Sequence, residues 1–139
     1  MSIFRRFVFA SASESRTEWA IAGLRIFFGL ALALGHGTNK FPVKPSWVET
    51  VASLGFPMPV VFAWAATLSE LLGGLMLAAG LLTRVAALSI VATMAVATFM
   101  VNYPALWSKG ELGIIFGVVA IFFLIYGGGK KSIDGLLSR

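Results

Sequence analysis

Apolar residues fill four stretches of this chain, each near the length that crosses a bilayer, and polar or turn-forming residues gather between them. The first stretch runs from about Trp19 to Gly37 and the second from about Val60 to Leu82. The third covers about Val85 to Val101 and the fourth about Glu111 to Tyr126. A helical span needs roughly 20 predominantly apolar residues. The pattern therefore predicts an all-α fold, a four-helix transmembrane bundle whose third and fourth spans lie at the short end of that range.

The polar positions punctuate this pattern in recognisable ways. Ser15-Arg16-Thr17-Glu18 has the serine–glutamate spacing of a capping box just before the first apolar run. A proline-bearing loop, Thr38 to Pro59, comes after the first span. Within it Ser46 to Leu54 reads as an amphipathic turn or two lying at the membrane interface, with Trp47 as its anchor. Thr83-Arg84 makes a tight turn between the second and third spans. Pro104 disfavours helix at Tyr103 and so ends the third. Gly127-Gly128-Gly129 stops the fourth, and a basic tail from Lys130 to Arg139 closes the sequence. Residues 1–18 read as a cytoplasmic or interfacial segment, with Phe4, Phe7 and Val8 on one helical face beside Arg5 and Arg6. The apolar run at 7–10 is too short for a secretory signal. Residues 19–139 then form a single membrane domain.

Composition strengthens this picture and narrows the chemistry. Of 139 residues 58% are hydrophobic and 12% charged, and the mean hydropathy is +0.90. Soluble domains sit near 45–50% apolar and about 25% charged. A chain this short cannot hide so much apolar surface in its own interior, so lipid must solvate the outer faces. The net charge of +5 would suggest nucleic acid for a soluble protein, but here the basic residues sit at span ends and in tails, beside lipid headgroups. No nucleic-acid partner is expected. Cysteine is absent and His36 is the only histidine. Those two facts exclude thiol redox chemistry, iron–sulfur ligation, thiolate zinc sites and a bis-histidine haem within one chain.

The same basic residues orient the spans. With the N-terminus inside, Arg5, Arg6, Arg16, Arg84, Lys130, Lys131 and Arg139 lie on the cytoplasmic side. Lys40, Lys44 and Lys109 lie on the other, seven against three. Both termini are thus expected in the cytoplasm. Small residues recur at every fourth position: Gly29, Ala33 and Gly37; Ser69 and Gly73; Ser89, Thr93 and Ala97; Gly113 and Gly117. That spacing lets helix backbones approach closely in lipid. It is compatible with a homodimer as well as with contacts inside one chain.

Ionisable residues inside spans are costly and are the default place to look for function. Arg25, His36, Glu70 and Glu111 stand out, with Lys40 and Asn102 as secondary candidates. Arg25 and His36 are eleven residues apart, close to three turns, and so share a face. At 1.5 Å per residue, Arg25 lies about 9 Å from the inner end of its span, Glu70 about 18 Å and His36 roughly 25 Å. Glu70 falls between them and needs a partner. Arg25–Glu70 is the expected pair, with His36 or a water above it. Such a centre would be either a structural ion pair or a polar cavity for protons, a quinone headgroup or another ligand. A metal held by His36, Glu70 and Glu111 is disfavoured with one histidine and no cysteine. Glu111 equally suits a helix cap at the interface, and Lys40 a lysine snorkelling from it.

The chain resembles the DoxX family of small bacterial membrane proteins from Leu24 onward. The family's Arg-x-x-x-Gly appears as Arg25 to Gly29, with His36-Gly37 and Lys40 after it. Its Leu-Gly-x-Pro appears as Leu54-Gly55-Phe56-Pro57. Its Glu-x-x-Gly-Gly stretch, ending Gly-Leu-x-Thr-Arg, appears as Glu70, Gly73, Gly74, Gly80, Leu81, Thr83 and Arg84. Its glycine-rich Ser-x-Asp ending appears as Gly127, Gly129, Ser132 and Asp134, without the proline this family often places between the glycines. The resemblance implies four membrane helices in a bacterial inner membrane and a link to redox chemistry, as a component of an oxidoreductase. It implies an accessory subunit or a module binding a quinone or similar small hydrophobic molecule, next to a redox partner protein. A small transporter using the buried Arg–Glu–His site, and an anchor recruiting a partner protein, are the alternatives.

Overall fold

The computed structural model describes residues 13–138, which form helices joined by turns and contain no strand. Helix α1 begins with Glu14–Leu32, passes through a π-helical turn at Ala33–Gly37 and ends with Thr38–Lys40. A short helix α2, Pro45–Ser53, opens with proline at its first position, where the missing N–H costs nothing. Helix α3 comprises Pro59–Leu68, a π turn at Ser69–Gly73 and Gly74–Ala79. Helix α4 comprises Thr83–Val96 and a π turn at Ala97–Val101. Helix α5 is Glu111–Tyr126, and a short helix α6 is Ile133–Leu137. The segment 1–12, with the amphipathic face expected around Phe4, Phe7 and Val8, lies outside the described residues.

Three of these helices are long and apolar enough to cross a membrane: Glu14–Lys40 with 27 residues, Pro59–Ala79 with 21 and Thr83–Val101 with 19. Helix α5 is apolar but has 16 residues, about 24 Å of rise against a hydrocarbon core of about 30 Å. The amphipathic segment expected between the first two spans is α2. The start of α1 departs from expectation. The helix begins at Glu14 rather than near Trp19, and Ser15 caps nothing. Glu18 instead turns its carboxylate to the far end of the described chain, where it accepts from the Lys130 amide at 3.0 Å and the Tyr126 hydroxyl at 3.2 Å. A carboxylate committed to that contact cannot also close a capping box.

Small residues set the closest approach. At Gly29 a Cβ would lie 2.5 Å from both the Ala78 nitrogen and the Gly74 oxygen, so α1 and α3 cross here backbone to backbone. The stripe continues through Ala33, whose Cβ abuts Gly74, to Gly37 against Leu71. Helices α4 and α5 pack along their lengths, with Gly113 against Thr98 and Gly117 against Met94. Larger side chains fill the remaining space. Leu32, Leu77, Ile90, Met94, Phe116 and Phe123 make the core. Elsewhere large apolar groups face outward: Phe27 is 67% exposed and Ile125 73%. Burying them in lipid is the favourable alternative to water.

The tail is docked against the helices rather than trailing from them. Asp134 accepts from the Leu82 amide (2.8 Å), the Thr83 amide (2.8 Å) and the Thr83 hydroxyl (2.6 Å), which caps the first turn of α4. Burial pushes the Asp134 carboxyl up. The Thr83 hydroxyl, the two amides and the nearby Arg25 charge more than offset this and hold it below the usual carboxylate range.

Candidate functional site

Arg25 and Glu70 do not meet. Arg25, 1% exposed, sends its guanidinium to the C-terminal end of α3. Nη1 donates to the carbonyls of Leu77 (2.8 Å) and Ala78, and Nη2 to the carbonyl of Lys131 (2.9 Å). The last carbonyls of a helix have no partner within it, and a planar fork of donors suits them. Gly80, in the left-handed conformation at φ 69°, leaves room for this group. A Cβ there would lie 2.7 Å from Arg25 Nη1. The arginine thus joins α1, α3 and the tail, far from the centre expected of it.

Glu70 pairs with Lys40 instead. Its Oε1 accepts from Lys40 Nζ at 2.6 Å, with the two side chains 3% and 28% exposed. Lys40 does not snorkel away from the protein, because α1 continues to Lys40 itself. The π turn at Ala33–Gly37 inserts an extra residue, so counting at 3.6 per turn across it misplaces every later position on the helix. The ammonium also sits 4.6 Å from the centre of the Trp47 ring, a cation–π contact. Trp47 is therefore more than an interfacial anchor. Its indole Nε1 donates to the Ala63 carbonyl at 3.3 Å.

These groups border a cavity of about 330 Å³ between α2, α3 and α4. That is the lower end of the size range of small-molecule sites. Its wall is apolar over most of its extent, with Val51, Phe56, Phe62 and Val96 among its lining. The polar exceptions are Lys40, Ser69, Glu70, Ser89 and Thr93, together with the Trp47 indole. Glu70 Oε2 and Ser69 Oγ are buried and have no hydrogen-bond partner. Both residues lie in the π turn of α3, and such turns recur at functional sites because they re-aim side chains.

The other expected members lie elsewhere. His36 sits in the π turn of α1, but its ring packs edge-on against Phe116 of α5, 5.5 Å between centres, and it does not line the cavity. Glu111 opens α5 as an exposed residue of its first turn. Asn102 is half-buried and its Nδ2 donates to the Ala97 carbonyl at 2.6 Å, closing the π turn of α4. His36, Glu70 and Glu111 do not converge, and no group of three potential metal ligands occurs among the described residues.

Apolar helices of membrane-crossing length, outward-facing large apolar side chains and a buried charged pair define a helical membrane protein. The DoxX family model matches residues 20–103, and the chain belongs to the DoxX family. The chain is also similar to an uncharacterized protein of Haemophilus influenzae, 30% identical over 129 residues that cover 87% of this chain and 92% of that protein. No solved structure matches the chain.

Proposed function

We propose that this DoxX protein is a small-molecule-binding module of the bacterial inner membrane, an accessory component of a redox or stress pathway that holds a quinone-like molecule beside Glu70. In this reading α1, α3, α4 and α5 all span, both termini are cytoplasmic, and the cavity lies toward the outer leaflet. The observation that carries it is the pair of unpartnered buried polar atoms, Glu70 Oε2 and Ser69 Oγ, at an otherwise apolar cavity. A buried carboxylate oxygen without a partner costs on the order of 1–3 kcal/mol or more, and a bound molecule would relieve that cost. Lys40 keeps the carboxylate compensated between binding events.

Native mass spectrometry of protein extracted with its lipids tests this. Wild type is expected to retain a stoichiometric small molecule that Glu70→Gln, shown to be folded and equally expressed, has lost. Identical spectra without any such adduct would leave the Lys40–Glu70 pair a purely structural tie.

A further inference from the structure

The polar atoms of the cavity do not offer donors and acceptors equally. The Ser89 hydroxyl already donates to the Ala86 carbonyl at 2.8 Å, and the Thr93 hydroxyl to the Ser89 carbonyl at 3.0 Å. The Trp47 N–H is committed to Ala63. One Lys40 proton is given to Glu70, and Nζ stands 4.6 Å from the centre of the Trp47 ring in a side chain still 28% exposed. Apart from the partly exposed Lys40 ammonium, the unmet capacity at the cavity is chiefly the capacity to accept. Glu70 Oε2 is a carboxylate oxygen and accepts only, and the Ser89 and Thr93 oxygens retain lone pairs alone. Ser69 Oγ can act either way.

Resting on the proposed ligand site, we infer that the cavity selects a neutral molecule bearing a phenol-type hydroxyl donor on an apolar ring. Of a quinone couple it would hold the reduced, hydroxyl-bearing member. Three features fix that class. The unmet acceptor calls for an O–H, and a hydroxyl donating to a carboxylate makes one of the stronger hydrogen bonds. Lys40 already neutralises Glu70, so an ammonium ligand would meet a second cation rather than a free anion. The ring finds Phe56 and Phe62, whose centres are 4.8 Å apart, and Trp47 along the wall. A site built around a hydroxyl discriminates sharply against an analogue that lacks it, because its own buried group is then stranded.

The test compares 4-propylphenol with its methyl ether, 4-propylanisole, which keeps the body and loses the donor. Binding to wild type and to Glu70→Gln in nanodiscs is measured by isothermal titration, with partition into empty nanodiscs subtracted. The phenol is expected to bind wild type at least tenfold more tightly than the ether, and that ratio to collapse in Glu70→Gln. Equal binding of the two by wild type would overturn the donor rule and leave the cavity a ligand site. A phenol preference that persists undiminished in Glu70→Gln would overturn the assignment to Glu70. Binding of neither above the empty nanodisc would overturn this inference and the proposed function together. The ratio in wild type alone decides the first question, so the test survives a variant that fails to fold.

Discussion

Glu70 illustrates how much of a membrane site a single residue reveals. A carboxylate in the middle of an apolar stretch announces a buried polar centre, and the structure places it 2% exposed at a cavity. Its partner is harder to read. Arg25 has the longer reach and the nearer apparent depth, yet the C-terminal carbonyls of α3 claim it. Lys40 looks interfacial from its position in the chain because the sequence shows neither that α1 continues through Thr38–Lys40 nor the π turn that sets which way Lys40 faces. The pairing has a measurable consequence. Lys40→Met leaves the buried carboxylate uncompensated and should lower stability by about 2–4 kcal/mol. The double variant Lys40→Met/Glu70→Leu removes both charges and should recover most of the loss, as read from thermal unfolding in a fixed detergent. With Glu70→Leu measured alongside, a double-variant loss equal to the sum of the two single losses would mean that the two side chains are not energetically coupled.

Elements are legible where composition decides them and illegible where hydrogen-bond register does. The four apolar helices and the amphipathic α2 derive from hydropathy and from the punctuation at Pro59, Pro104 and Gly127. The π turns at Ala33–Gly37, Ser69–Gly73 and Ala97–Val101 do not, since no residue type demands them. The start of α1 escapes the sequence because a capping motif describes local possibility, whereas Glu18 answers to Tyr126 and Lys130. The docking of α6 is equally hidden, being a contact between residues fifty positions apart in sequence or more. It carries a pH dependence. The Asp134 carboxyl is held below its ordinary range when folded, so the unfolded chain binds the proton more readily. The contribution is complete above the unfolded value and is lost as pH falls through the folded one. The gap in thermal midpoint between wild type and Asp134→Asn should stay constant from neutrality to about pH 5 and close below about pH 4. A gap that does not change with pH would mean that the carboxylate charge plays no part in holding the tail.

For the whole molecule, sequence supplies the class and the family, and packing supplies the cavity. No spacing rule places α2 against α3 so that Trp47 and Val51 wall a space reaching Glu70. The proposed orientation is testable because the chain has no cysteine of its own. A single cysteine at Lys44 or Ser108 should react with a membrane-impermeant maleimide in spheroplasts. One at Ser138 should react only after lysis, and the reverse result would invert the topology. The anchoring of Arg25 adds a matter of timing. Its Nη2 contact is made 106 residues further along the sequence, so at the ribosome the first helix must enter the membrane carrying a guanidinium whose final partners do not yet exist. Until α3 and the segment around Lys131 have been synthesised, that charge must be tolerated by lipid headgroups or the insertion machinery. In the spanning arrangement proposed above, the arginine is a latch that can close only once the tail has been made.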